Sequence, residues 1–231
     1  MQYKHLFFDL DHTLWDFEAN SRQTLLALHG SLGLEEKGIN DFDLFHKRYL
    51  GHNERLWERY RNGTIRVDEL RWKRMWLTLL DFKIGDEALA KEMGVLFLDS
   101  LPTRNLLFPH ALEILEYLRV KGYQLHMITN GFEVTQHSKL LHAGMAGYFR
   151  EVITSEGSGS LKPHKEIFEY ALQRTGAEKK ESIMLGDSIE IDIQGAMNAG
   201  IDQVYVNHLN QQPAIQPTYT VYSLKELETI F

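Results

Sequence analysis

Two pairs of closely spaced aspartates are notable in this sequence because each pair follows a short apolar run. Asp9 and Asp11 come after the run LFF, and Asp187 and Asp192 come after the run SIML. Such runs predict buried strands of a parallel sheet, and open α/β proteins keep their chemistry at the carboxyl ends of these strands. Four carboxylates gathered there would repel one another unless protons or a divalent cation balanced them. Because oxygen ligands suit Mg²⁺ and the chain has no cysteine, the pattern predicts a magnesium site.

Two other predicted strand ends hold groups that suit an anion. The run QLHMIT ends at Thr129 and is followed by Asn130 and Gly131, which together offer a hydroxyl, an amide and backbone N–H groups at the start of a helix. The stretch after the next predicted strand contains Lys162, a cation at another helix start. Lys162, Thr129 and the loop N–H groups complement a phosphate that bridges to the metal. The residues themselves therefore predict phosphoryl transfer.

The elements that position these groups follow from the hydrophobic pattern. In the C-terminal part, short apolar runs with β-forming residues alternate with segments whose apolar residues recur at helical spacing. This alternation predicts an α/β fold in which helices cover both faces of a parallel sheet. The predicted strands are residues 124–129, 151–154, 182–185 and 203–207, and the predicted helices are residues 109–121, 132–143, 164–175 and 189–199.

The segment from about residue 16 to residue 104 has a different pattern. It contains no convincing strand, and its apolar residues recur at helical spacing, as Leu56 and Tyr60 do. We therefore predict an α/β core formed by residues 1–15 and 105–231, with residues 16–104 inserted as a helical domain. A parallel crossover needs only one helix, so we expect this longer insertion to act as a lid over the strand ends. The alternative is a separate helical domain with no part in catalysis.

Composition excludes several classes of protein. With 231 residues, 43% of them hydrophobic, the chain can bury a full core. The absence of cysteine excludes disulfides, thiol nucleophiles and cysteine metal sites. A formal charge of -7, spread along the chain, predicts no binding of polymeric nucleic acid. Because Asp9 and Asp11 interrupt the first apolar run and no run is long enough to span a membrane, we expect a cytoplasmic protein without membrane contact, either a monomer or a dimer.

Four segments, in this order, resemble the four motifs of the haloacid dehalogenase-like (HAD) superfamily. They are DLDHT at residues 9–13, TNG at 129–131, KP at 162–163 and GDSIEID at 186–192. Each is weak alone, but the set is specific and covers the whole predicted core. The resemblance implies the Rossmann-like HAD fold, with the insertion placed like an α-helical C1 cap.

The resemblance also implies roles for the residues at the motif positions. Asp9 would be the nucleophile that forms an aspartyl-phosphate, and Asp11 the general acid and base. Mg²⁺ would be held by Asp9, Asp187 and the main-chain carbonyl of Asp11, with Asp192 completing or orienting the shell. The phosphoryl group would be bound by the remaining motif residues, Thr129, Asn130, Gly131 and Lys162. Because the haloalkanoate dehalogenases lack an aspartate two places after the nucleophile, Asp11 favours a phosphatase.

A closer resemblance concerns the substrate. LWERYRNGTI at residues 56–65, ITNGF at 128–132, KPHKEIFEYAL at 162–172 and the tail TYTVYSLKELE are similar to the bacterial house-cleaning pyrimidine 5'-nucleotidases. This implies a Mg²⁺-dependent phosphomonoesterase whose substrate is a small phosphate ester, a nucleoside 5'-monophosphate. Two alternatives stay open: a HAD phosphatase acting on a sugar phosphate or related small metabolite, and a non-catalytic HAD-fold binding module whose acidic cluster holds a cation.

Overall fold

The computed structural model describes residues 2–231, and within them six strands form one parallel sheet. The strands are β1 (His5–Phe8), β2 (Gln124–Thr129), β3 (Glu151–Thr154), β4 (Ser182–Gly186), β5 (Asp202–Val206) and β6 (Tyr219–Val221). Their order across the sheet is β3-β2-β1-β4-β5-β6. The order reverses at β1, so the chain leaves β1 at the point where ligands of open α/β folds bind.

Strand β1 lies at the centre of the sheet. It pairs with β2 on one side and β4 on the other, with Phe8 opposite both Met127 and Leu185. Leu6, Phe7 and Phe8 are completely buried, which explains why the run is apolar at every position rather than at alternate ones. The residue after Phe8 therefore lies between the ends of two neighbouring strands.

The chain divides into two compact units, and the first contains the sheet. This unit comprises the residues up to Phe17 together with Asn105–Phe231. Its main helices are α5 (Ala111–Val120), α6 (Glu133–His142), the short α7 (Ser155–Ser158), α8 (Lys165–Thr175) and α9 (Gln194–Ala199), numbered after four helices that precede them. One side of its core is a cluster in which Phe7, Ile128 and Met184 of the sheet join Phe168 and Ala196 of the helices.

The second unit, Glu18–Arg104, is helical. It is formed by α1 (Phe17–Ser31), α2 (Phe42–Arg61), α3 (Val67–Asp81) and α4 (Glu87–Ser100), and α3 packs against both α2 and α4. The side chains of Asp41 and Asp86 accept hydrogen bonds from backbone N–H groups in the first turns of α2 and α4, as capping aspartates do. All of residues 18–104 lie in helices or in the loops that join them.

The strand predictions agree closely with the structure. The predicted bounds of β2 and β3 are those observed, β4 and β5 differ by one residue at their ends, and β6 was not predicted. The predicted helix 189–199 is correct only from Gln194, because Ile189–Ile193 winds as a wider π-helix. Among the described residues, no helix is both long enough and apolar enough to cross a membrane.

Candidate active site

Asp9 lies at the centre of the site. It follows β1 directly, and its backbone N–H donates to the carbonyl of Leu185 at 2.8 Å, which continues the pairing with β4 by one residue. Its carboxylate is buried and accepts hydrogen bonds from the ammonium of Lys162 at 2.5 Å and the hydroxyl of Thr13 at 3.3 Å. Burial, together with the charges of Asp192 and Asp187, raises the pKa of Asp9 to about 8 against the opposing effect of Lys162.

Lys162 bridges two of the predicted site carboxylates. Its Nζ atom lies 2.5 Å from Oδ1 of Asp9 and 2.6 Å from Oδ1 of Asp192, and its side chain is only 1% exposed. Burial alone would lower the pKa of this ammonium, but the charges of Asp192 and Asp9 outweigh burial and raise it. Lys162 is therefore a fixed positive charge at the end of β1.

Three carboxylates form a cluster that could hold a metal ion. Asp9, Asp187 and Asp192 each offer an oxygen, and these oxygens lie within 4.8 Å of one another. Ionised, the three carboxylates carry three negative charges against the single positive charge of Lys162, which leaves two charges uncompensated. Burial, followed by the charge of Asp192, raises the pKa of Asp187 to about 7, as expected for crowded carboxylates. An all-oxygen cluster with a charge of −2 is suited to a divalent cation such as Mg²⁺.

The loop after β4 explains how Asp187 and Asp192 come together. Asp192 lies in the π-helical turn, and its Oδ2 atom accepts a hydrogen bond from the backbone N–H of Ser188 at 3.0 Å. The side chain thereby folds back over Gly186, where an added Cβ would overlap the carboxyl group of Asp192. Glycine at position 186 is thus required by the close approach of the Asp192 carboxyl group. In the same loop, Asp187 accepts a hydrogen bond from the hydroxyl of Thr13 at 2.9 Å.

The side chain of Asp11 lies outside this carboxylate cluster. Its Oδ1 atom accepts a hydrogen bond from the ammonium of Lys139 at 2.6 Å, and its Oδ2 atom accepts one from Nε2 of Gln136 at 2.9 Å. Burial alone would raise the pKa of Asp11, but the charge and hydrogen bond of Lys139, with the hydrogen bond of Gln136, lower it overall. The prediction that the main-chain carbonyl of Asp11 binds a metal stays a prediction.

Thr129 ends strand β2 beside Asp9. Its hydroxyl oxygen accepts hydrogen bonds from Nε2 of Gln136 at 2.6 Å and from the backbone N–H of Gly131 at 3.1 Å. With two bonds accepted, the hydroxyl still has its own proton to donate to a ligand. Gly131 has no room for a side chain, because an added Cβ would overlap the amide group of Gln136.

Asn130 contacts the Lys162 backbone with its side chain. Its Nδ2 atom donates to the carbonyl of Lys162 at 2.9 Å, and its Oδ1 atom accepts from the N–H of Lys162 at 2.7 Å. The hydroxyl of Ser155 donates to the carbonyl of Asn130 at 3.1 Å. The side-chain amide that sequence reasoning assigned to phosphate binding is thus used here to hold Lys162.

The structure brings the predicted site residues together at the carboxyl ends of β1, β2 and β4. Sequence reasoning missed Thr13, Gln136 and Lys139, whose side chains contact the side chains of predicted site residues. Thr13 lies inside the DLDHT segment, and Gln136 and Lys139 are three residues apart on α6, which places them on one helix face. A glutamine and a lysine three residues apart on the predicted helix after the TNG segment were the signal that could have identified this pair.

The fold agrees with comparisons to known proteins. A family model described as haloacid dehalogenase-like hydrolase matches residues 3–200. The chain belongs to this family of hydrolases.

Individual relatives match the chain over its whole length. The pyrimidine 5'-nucleotidase PynA of Streptococcus pneumoniae is 34% identical over 98% of this chain and 94% of its own. The pyrimidine 5'-nucleotidase YjjG of Escherichia coli is 32% identical over 100% of this chain and 98% of its own. A solved structure of the HAD-hydrolase YfnB of Bacillus subtilis, described as bound to magnesium, superposes with a TM-score of 0.88 at 28% identity, covering 100% of this chain and 99% of that one.

Proposed function

We propose that this protein is a Mg²⁺-dependent phosphomonoesterase that hydrolyses nucleoside 5'-monophosphates, including those of pyrimidines, through an aspartyl-phosphate on Asp9. The observation that supports the chemistry best is the buried Asp9 carboxylate held between Lys162 and two further carboxylates at the end of the central strand. The substrate class is supported by the end-to-end similarity to PynA and YjjG.

The first half-reaction transfers the phosphoryl group to Asp9. A carboxylate oxygen of Asp9 attacks phosphorus, the bond between phosphorus and the ester oxygen breaks, and the departing oxygen takes a proton from Asp11. Lys162 and the hydroxyl of Thr129 compensate the negative charge of the phosphoryl oxygens during transfer. Asn130 contributes by holding the backbone of Lys162.

The second half-reaction regenerates the enzyme. Asp11, now a carboxylate, accepts a proton from a water molecule whose oxygen attacks phosphorus. The bond between phosphorus and Asp9 breaks, its electron pair returns to the Asp9 carboxylate, and inorganic phosphate leaves. Asp11 is again protonated and ready for the next ester.

The residues at the site fit a divalent cation, because three carboxylate oxygens within 4.8 Å of one another leave two negative charges after Lys162 is counted. Asp9, Asp187 and Asp192 would hold Mg²⁺, joined by the main-chain carbonyl of Asp11. When bound, the ion would neutralise these carboxylates and polarise the phosphoryl oxygens.

Phosphate release from a panel of substrates tests this function. The panel contains pyrimidine and purine nucleoside 5'-monophosphates, sugar phosphates and p-nitrophenyl phosphate, each with Mg²⁺ and with EDTA. We expect the highest kcat/KM on pyrimidine nucleotides, loss of turnover in EDTA and recovery when Mg²⁺ is restored. Asp9→Asn should have no measurable turnover, while Asp43→Asn, the same change at an aspartate that is 81% exposed, should behave as wild type.

Other outcomes of the panel have definite meanings. Highest turnover on a sugar phosphate would contradict the nucleotidase assignment but not the chemistry at Asp9. Turnover by Asp9→Asn would contradict the assignment of Asp9 as the nucleophile. No release from any ester, with Mg²⁺ still binding, would favour the non-catalytic binding module. Detection of phosphate on a peptide containing Asp9, by mass spectrometry after acid quenching, provides a direct test of the intermediate.

A further inference from the structure

Two residues of α6 together hold both carboxylate oxygens of Asp11. The ammonium of Lys139 lies 2.6 Å from Oδ1, and Nε2 of Gln136 lies 2.9 Å from Oδ2. The same Nε2 atom donates to the hydroxyl oxygen of Thr129 at 2.6 Å. Two directional contacts on separate oxygens leave the carboxylate little freedom to rotate. Gln136 thus connects the predicted acid and base to a predicted phosphoryl-binding hydroxyl.

The surroundings of Lys139 fix its position. Its side chain is only 4% exposed, and its ammonium lies 4.4 Å from the ring centroid of Trp15 and 5.9 Å from that of Phe17. A cation held over aromatic rings and against a carboxylate is oriented from two sides. Asp11, in contrast, keeps a quarter of its side chain exposed, at 26%.

Neither residue is explained by stability alone. A buried ion pair is often no more stable than apolar residues of similar volume, because desolvation cancels much of the attraction. The Oε1 atom of Gln136 is buried and has no hydrogen-bond partner within residues 2–231, and an unsatisfied buried polar atom destabilises a fold. A buried glutamine that keeps one polar atom unsatisfied in order to direct the other at Asp11 and Thr129 indicates a functional constraint.

We propose that Lys139 and Gln136 are positioning residues for Asp11, which hold its carboxylate in the orientation from which it exchanges protons with the leaving oxygen and with water. This inference rests on the proposed function, since it assumes that Asp11 is the acid and base. It assigns catalytic importance to two residues on a helix that provides no metal ligand.

The experiment compares Lys139→Met and Gln136→Met with wild type on two esters. A nucleoside 5'-monophosphate has a poor leaving group that needs a proton, whereas p-nitrophenolate leaves without one. If Asp11 is misplaced, both half-reactions slow on the nucleotide, but only the second slows on p-nitrophenyl phosphate. We therefore expect kcat to fall roughly 10-fold or more on both esters. KM should change little on the nucleotide, where both steps slow, but should fall together with kcat on p-nitrophenyl phosphate, where only the second step slows. On p-nitrophenyl phosphate alone, stopped-flow measurement should show a larger burst of p-nitrophenol than in wild type.

A double variant separates positioning from a structural role. If Lys139 acts through Asp11, adding Lys139→Met to Asp11→Asn should change single-turnover rates by less than about twofold, because the residue to be positioned is already disabled. Because Asp11 keeps 26% of its side chain exposed to water, Lys139→Met should also melt within a few degrees of wild type. The matched control is Lys225→Met, which breaks an exposed ion pair to Glu228 that has the same length of 2.6 Å. Its turnover of both esters should equal that of wild type.

The outcomes distinguish this inference from the proposed function. Wild-type turnover by Asp11→Asn would remove the role of Asp11 and the inference with it. If Asp11→Asn is slow but Lys139→Met and Gln136→Met both turn over within about twofold of wild type, only the inference is overturned. Two further results would assign Lys139 a structural role and also overturn the inference. One is a double variant whose loss of rate is the product of the two single losses, and the other is loss of turnover in both single variants with no change in the burst.

Discussion

The side-chain amide of Asn130 hydrogen-bonds both polar atoms of the Lys162 backbone. Nδ2 donates to the carbonyl at 2.9 Å and Oδ1 accepts from the N–H at 2.7 Å, across 32 residues of sequence. The Lys162 ammonium in turn lies against Asp9 and Asp192. Asn130 therefore acts on the centre of the site through the position of Lys162, and not only through any contact of its own with a phosphoryl group.

Replacing Asn130 with alanine should lower activity without unfolding the protein. Two hydrogen bonds of about 1 kcal/mol each correspond to a roughly 30-fold loss if their whole contribution is felt in the transition state. We expect kcat/KM for the preferred ester to fall by about that factor. Asn130→Asp, which can accept from the Lys162 N–H but cannot donate to its carbonyl, should be intermediate. Asn198→Ala, on an exposed turn of α9, is the control, and full activity in Asn130→Ala would contradict the account.

Substituting Gly186 with alanine should weaken metal binding. An added Cβ would overlap the carboxyl group of Asp192, which must then move away from the other two carboxylates. We expect the Mg²⁺ concentration for half-maximal activity to rise roughly 10-fold or more, and the Mg²⁺-dependent increase in melting temperature to shrink. Gly147→Ala is a matched control, because an added Cβ there meets nothing within 4 Å. Wild-type Mg²⁺ affinity in Gly186→Ala would show that Asp192 tolerates the displacement.

Stability should fall in acid because of a buried histidine pair in the sheet. Nδ1 of His5 and Nε2 of His126 are 3.2 Å apart, and Nδ1 of His126 has no partner within residues 2–231. Burial, with the charges of His5 and Arg150, lowers the pKa of His126 to about 4. The unfolded chain, with an ordinary histidine pKa near about 6.5, binds the proton first, so the free energy of unfolding decreases as pH falls from about 7 to about 4.

Urea unfolding across this pH range measures the effect. Wild type should lose roughly 2–3 kcal/mol from His126 over the interval, and His126→Gln should show a correspondingly shallower dependence. His142→Gln, at an exposed position of α6, should keep the wild-type slope. Equal slopes in all three proteins would mean that His126 is not kept neutral by the fold.

In the helical unit, Arg74 is a buried cation with an incomplete set of partners. Its Nη1 atom donates to Oδ1 of Asn53 at 3.0 Å and its guanidinium lies 5.1 Å from the ring centroid of Phe97, but Nε and Nη2 have no hydrogen-bond partner within residues 2–231. Removing the partner of a buried charge costs more than replacing the charge itself with an apolar group. We therefore expect Asn53→Ala to destabilise the protein by about 2–3 kcal/mol and Arg74→Met to destabilise it less. Denaturant unfolding that ranks the two variants in the opposite order would contradict this.

Much of the site could be predicted because its signals are local. A buried parallel strand must be apolar at nearly every position, so the end of the run LFF identifies Asp9, and the run SIML identifies Asp187, without knowledge of any contact. That these residues would lie near one another follows from a general rule, that the strands of a parallel sheet end at the same edge. The π-helical turn that contains Asp192 was not predicted, because a sequence pattern does not distinguish a short π-helical turn from the start of an ordinary helix.

The sequence by itself determined the alternation of strands and helices, the helical insertion and the acidic, hydroxyl and cationic residues at the strand ends, because these depend on periodicity and on neighbours along the chain. Only the tertiary structure decided which side chains meet. Lys139 pairs with Asp11 across 128 residues, and Asn130 turns its amide to Lys162, because of where α6 and the loop before α8 pack beside the sheet. A hydrogen bond requires a donor–acceptor distance correct to within a few tenths of an ångström and a favourable angle. Packing between distant segments, and not local sequence pattern, fixes both quantities.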